Sequence, residues 1–220
     1  EVVEREREVK ERLENVFEIS KTELLWSSSF PMIDFKDITQ IGLKDGDWIE
    51  TKDQSDSGVR LIQLADIGEG IFLDKSNRYI SDKTFINLHC FEIKPRDILL
   101  ARMPDPIGRS CIMPDIKIKC ITAVDVCVIR VDKENFNIEY INYLINTTQL
   151  RMKIIELSSG TTRQRISKLN LGNIKVPMPN KLLQDRIADQ ISIIEQNLQS
   201  VICNIDFSKQ LKHGLINEIF

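Results

Sequence analysis

The sequence predicts an α+β fold: a compact mixed α/β domain followed by a long C-terminal helix of coiled-coil type. Three observations predict it. Short β-type runs between about Trp26 and Pro179 are separated by Gly, Pro, Asp and Asn. They do not alternate regularly with helices, as a parallel βαβ sheet would require. After residue 180 the apolar positions repeat every three or four residues. At 220 residues and 42% hydrophobic content the chain is long enough to fill one large core and carry an extension.

Residues 1–23 read as a short charged helix, with Val2, Val9, Leu13, Val16 and Phe17 forming a narrow apolar stripe that needs a partner. "SSSFP" at 27–31 ends that pattern, because three serines and a proline favour a turn. The mixed domain then spans 24–179. Its strand-like runs are "VRLIQLADI", "INLHCFEI", "DILLAR" and "CIMPDIKIKCITAVDVCVIRV", and "NIEYINYLINTTQLRMKIIEL" at 137–157 has a helical period. The first run is expected to be a half-buried strand behind the turn-rich loop "DGDWIETKDQSDSG". "VPMP" at 176–179 holds the backbone extended and closes the unit. From 180 to 220, Leu183, Ile187, Ile191, Ile194, Leu198, Val201 and Ile205 form a helix-pairing seam. No internal repeat interrupts this plan.

The formal net charge of −3 excludes a uniformly basic nucleic-acid wrapper, but the charge is unevenly placed. Residues 147–175 carry six basic side chains against the single acid Glu156, and residues 1–23 carry eight Glu against five cations. Five cysteines, odd in number and without CxxC spacing, read as buried free thiols of a reducing compartment. With no membrane-length apolar segment and no secretion-type apolar start, the expected location is cytoplasmic.

Catalytic chemistry finds little support. The two histidines, His89 and His213, lie far from any ligand or triad spacing. The GEG at 68–70 lacks the third glycine of a dinucleotide loop, since position 73 is Leu, and no phosphate loop occurs. Asp34 with Glu50-Thr51-Lys52, and Asp97 with Asp115-Ile116-Lys117, have the acid…acid-x-Lys form of a metal-dependent nuclease. Two unrelated matches in one charged chain show how little that pattern specifies.

The stretch "SSGTTRQRISKLNLGNIKVPMP", 158–179, is the most informative. Small polar residues permit close backbone approach, and guanidinium groups reach phosphates or grip guanine. A solvated loop is the plain alternative. In the order "DGDWIETKDQSDSGVRLIQLADIGEG", "PRDILLARMPDPIGRSCIMP", "SSGTTRQRISKLNLGNIKVPMPNKLLQDRIADQI", the chain resembles the target-recognition domain and following helix of the specificity subunit of type I restriction-modification systems. The resemblance covers about residues 32–220. It implies a non-catalytic subunit that binds double-stranded DNA, recognises half of a bipartite site and positions methyltransferase and restriction subunits. S-adenosylmethionine, ATP and Mg²⁺ are expected on those partners and no cofactor in this chain.

Such subunits usually carry two recognition domains, so the second is expected either in the same full-length chain or by homodimerisation. The candidate DNA contacts are Lys52, Arg60, Arg102, Arg109, Thr162, Arg163, Gln164, Arg165 and Lys168. The seam from Leu183 to Ile205, about 34 Å at 1.5 Å per residue, is near one DNA turn and suits a ruler between two domains. Two alternatives stay open: the recognition region of a type IIG enzyme, and a helical interaction adaptor without a DNA role.

Overall fold

The structure, a computed structural model, describes residues 2–160 and 163–219, and the side chains at 2–4, 6, 212, 213 and 215–219 fall outside that description. In chain order the elements are α1 (Val2–Leu25), β1 (Met32–Asp34), β2 (Lys44–Asp45), β3 (Gln54–Ser55), β4 (Val59–Ile62), β5 (Tyr79–Ile80) and α2 (Asp82–Asn87). They continue with β6 (Ile98–Ala101), β7 (Ser110–Ile112), β8 (Cys120–Thr122), β9 (Val126–Ile129), α3 (Ile138–Ile145), α4 (Thr148–Glu156), α5 (Lys168–Gly172), β10 (Lys175–Pro177) and α6 (Lys181–Ile219).

An antiparallel sheet in the order β2-β9-β6-β7 forms the centre. Its apolar runs are continuous because both faces are buried. The two-residue period sorts the side chains. Ile98, Leu100, Cys127 and Ile129 join a large core with the helices, whereas Leu99, Val126 and Val128 join a second core with Ile62, Ile93 and Cys111. A second sheet, β3-β5-β4-β8, pairs β4 with β8 in parallel and otherwise runs antiparallel. All four residues of β4 are buried, so the strand expected to be half-buried is covered on both faces. Val59 and Leu61 pack with Ile80, Cys90 and Ile121 in a third cluster.

Several elements depart from the sequence expectations. "INLHCFEI" is not a strand. Ser81 Oγ accepts the Thr84 N–H at 3.0 Å, starting α2, and the chain turns at His89 with φ 51°. The apolar residues that suggested a strand, Ile86 and Leu88, are exposed. The helix expected over 137–157 is two helices. Thr147 Oγ1 donates to the Leu144 carbonyl at 2.8 Å and accepts the Leu150 N–H, ending α3 and capping α4 with one hydroxyl. The stretch before the proline pair contains α5, capped by Ser167.

The extended proline segment does join a ladder. β10 pairs antiparallel with β1, Met32 opposite Pro177, and the Met178 N–H reaches the Pro31 carbonyl at 2.8 Å. β1 follows α1 and β10 precedes α6, so this small ribbon brings the two long helices together. Tyr140 Oη donates to the Pro177 carbonyl at 3.2 Å and approaches that of Leu25, while far along both helices Lys10 pairs with Asp206. α1 and α6 therefore run antiparallel. Among the seam residues Ile187 and Ile191 are buried in the main core and Leu183 packs partly against it, whereas Ile194 and Val201 are exposed and Leu198 and Ile205 half-buried.

Four cysteines are buried and Cys203 is exposed on α6; all five are free thiols. Burial pushes the Cys111 and Cys127 thiols up to about 12, which leaves them inert as nucleophiles. No helix among the described residues is long and apolar enough to cross a membrane.

Candidate nucleic-acid interface

Three loops from distant parts of the chain converge beside the central sheet: the segment after β2, the turn between β8 and β9, and the loop leading into α5. Their joining is backbone-tight. The Gly46 N–H donates to the Val126 carbonyl at 3.0 Å and the Asp47 N–H to the Thr122 carbonyl at 2.7 Å. A Cβ at Gly46 would lie 2.1 Å from the Ala123 oxygen, so only glycine lets the strands approach this closely.

Charge then locks the third loop onto the other two. Arg102 Nη2 donates to the Val124 carbonyl at 2.7 Å, and Arg165 Nη2 donates to the same oxygen at 3.0 Å. Asp45 pairs with Arg102 through one oxygen and with Lys168 through the other at 2.9 Å; Arg165 also meets Asp125 at 3.4 Å. Burial lowers the Arg102 pKa, and Asp45 beside it raises it in opposition. The loop into α5 is closed by reciprocal backbone bonds between Ser159 and Arg165 at 3.1 and 2.9 Å. Its tip presents Arg163 and Gln164 to solvent. Gly160, at φ 109°, makes the turn possible, since a Cβ there would meet the Arg163 oxygen at 2.5 Å.

The nine sequence candidates fall into three groups. Arg60, Arg102 and Arg109 are buried and committed internally. Arg60 pairs with Asp74 at 2.8 Å, reaches the Ser76 carbonyl and lies 5.7 Å from the Tyr79 ring centroid. Arg109 donates to the carbonyls of Ile67, Pro106 and Leu64 at 2.7, 2.6 and 2.8 Å, stapling the loop after β6 to the turn after β4. Arg165 and Lys168 are half-exposed and hold the loop cluster through their ion pairs. Lys52, Arg163 and Gln164 are exposed, with Lys52 bridged to Glu50 at 2.7 Å. Thr162 lies outside the described residues. Sequence reasoning passed over Asp45 as a site residue, although its carboxylate joins the first loop to the third; the turn Asp45-Gly46-Asp47 was the available signal.

The acid-x-Lys candidates are occupied by structural pairings. Asp97 accepts from Arg130 at 2.8 and 2.7 Å and from the Lys94 N–H, while Asp34 pairs with Lys175 and Lys36. Asp115 pairs with its own neighbour Lys117. No group of three or more His, Cys, Asp or Glu able to hold a metal occurs among the described residues. The loop cluster exposes the hydrogen-bonding side chains of Arg163 and Gln164 on a backbone held by the bonds described above.

Comparison with known proteins gives the class of the chain. Residues 10–202 match the family described as the type I restriction modification DNA specificity domain, and the chain belongs to that family. The fold is similar to a solved chain described as "Structural basis underlying complex assembly and conformational transition of the type I R-M system", with TM-score 0.76, 15% identity, and coverage of 99% of this chain and 54% of that one. It is also similar to the HsdS subunit from Thermoanaerobacter tengcongensis, with TM-score 0.71, 15% identity and coverage of 100% and 53%. The type I S subunit from M. genitalium matches at TM-score 0.52 and 16% identity, over 88% of this chain and 47% of that one. The chain thus spans about half the length of the solved structures it matches. No curated protein matches the sequence.

Proposed function

We propose that this chain reads one half of a bipartite DNA site, with the loop cluster at the duplex and the α1–α6 pair setting the distance to a second recognition domain. Methylation and cleavage are assigned to partner methyltransferase and restriction subunits, which would hold S-adenosylmethionine, ATP and Mg²⁺. The second recognition domain belongs to a longer chain or to a second copy. One observation carries the reading: in a member of a DNA specificity family, three distant loops are bonded together, with Arg163 and Gln164 exposed on one of them and Lys52 exposed on another. Phosphate contacts from such cations set position, and amide or guanidinium groups discriminate base edges.

Exposed apolar residues on the helix pair, Val16 and Ile19 on α1 with Ile193, Val201 and Phe207 on α6, are the contacts assigned to the methyltransferase subunit. Selection from a pool of random-sequence duplexes, with and without that subunit, tests the reading. Enrichment of a defined half-site is expected, and a bound pool with no sequence bias sinks it. Inserting a matched heptad into both α1 and α6 should lengthen the preferred spacer; an unchanged spacer refutes the ruler.

A further inference from the structure

We infer that Trp48 is a specificity-determining wedge, an indole that packs against a base step of the duplex and reads its deformability rather than its hydrogen-bonding edge. The inference rests on the DNA-reading role proposed above. It starts from a contrast between the two tryptophans. Trp26 is half-buried, its Nε1 donating to Thr147 Oγ1 at 3.0 Å with the Lys153 ammonium 4.6 Å from its ring centroid. Trp48 is 71% exposed on the loop after β2, and its Nε1 makes a long 3.4 Å contact to Glu50.

A large exposed apolar ring on a mobile loop would mean little, but the backbone around Trp48 is held on both sides. Asp47 bonds to Thr122 through its N–H and accepts the Phe91 N–H at 3.1 Å, and Ile49 packs against the cluster of Val59, Leu61 and Ile80. The Glu50 N–H is capped by Asp53 at 3.0 Å. The ring is therefore presented by an ordered frame, and binding would not have to order that frame first. Leu169 on α5 is also exposed, at 72%, and follows the Lys168 that meets Asp45.

The charges of the loop cluster say why an apolar contact is needed. Asp45 pairs with Arg102 and Lys168, Asp125 with Arg165 and Glu50 with Lys52, so much of the cluster's positive charge is engaged internally. With those cations engaged, phosphate contacts alone grip a duplex less firmly, and an inserted apolar side chain is a further physical means of gripping it. Its energy depends on how easily the contacted step unstacks, so it discriminates sequence without a base-edge hydrogen bond. The loop that carries Trp48 is bonded through Gly46 and Asp47 to the turn that Arg102 and Arg165 hold, so the ring belongs to the cationic loop cluster, which favours DNA over a protein partner.

The test compares the wild-type chain with W48A and W48F on a pool of random-sequence duplexes, with and without the methyltransferase subunit. On duplex binding, acrylamide should lose access to the Trp48 emission. W48A should keep its Tm and lose affinity on the order of 10- to 100-fold, the loss expected for removing one stacked aromatic. W48F should stay within about threefold of wild type, since the aromatic contact and not the indole N–H matters. The half-site selected by W48A should relax at one step while other positions persist. If wild-type DNA binding leaves Trp48 quenchable and W48A binds as tightly, the wedge is wrong and the recognition role stands. If W48A loses only the methyltransferase subunit, Trp48 is a protein contact. If the wild-type chain selects no sequence, the recognition role itself fails.

Discussion

The two ends of the α6 seam share one heptad spacing and meet different surroundings. Near the domain, Ile187 and Ile191 sit in the main core with Tyr140 and Leu25; further along, Ile194 and Val201 face solvent. Spacing specifies a helix with an apolar stripe, but what covers the stripe is decided by elements far away in sequence. The same holds for the arginines. Arg109 is enclosed by carbonyls, and Arg163 stands at a loop tip, although both lie in turn-rich sequence.

These contrasts can be broken by mutation, beginning with the largest effect. Ile191→Ala should lower unfolding free energy by about 3 kcal/mol through the cavity it leaves, whereas Val201→Ala should cost no more than about 0.5 kcal/mol. Denaturant titration of the two variants checks this, and equal losses would erase the distinction along α6. Arg109→Ala should cost about 2 kcal/mol, because three carbonyls lose their donor. Arg163→Ala should leave the melting temperature in place, weaken DNA binding and flatten the log-log salt dependence by about 0.9 if it holds one phosphate. Salt-titrated binding of Arg163→Ala, paired with the melting curve of Arg109→Ala, separates the two roles.

The smallest effect concerns Asp47. Burial raises its carboxyl from 3.8 to about 6, against the lowering effect of the Phe91 N–H. Since the folded state holds that proton more tightly than the unfolded chain, the group's stabilising contribution is full in acid and is lost as pH rises from 3.8 through about 6. Asp47→Asn should therefore flatten the pH dependence and gain about 1 kcal/mol above neutrality, a partial effect because solvent reaches the carboxylate. Melting curves across that interval check it; an unchanged slope would place the titration elsewhere.

The sequence made the frame legible where one periodicity dominated. The runs that became β6 and β9, the break after α1 and the long α6 could all be read. Failures came where a short polar cap overrode apolar content, as with Ser81 at α2 and Thr147 between α3 and α4. Half-burial of β4 was misjudged because one of its covers comes from residues outside the sheet, such as Phe85 and Cys90, distant in sequence. The loop into α5 could be picked out by composition. Which of its cations remain exposed could not, since the partners of Arg165 and Lys168 are Asp125 and Asp45, which lie far earlier in the chain.

The central sheet divides two interiors, Leu99 belonging to one and Ile98 and Leu100 to the other. Sliding any of its strands by a single residue would exchange the occupants of both, which locks the strands in phase. Loops leaving them inherit fixed take-off directions, so new letters can be tried at a tip while the scaffold beneath stays put.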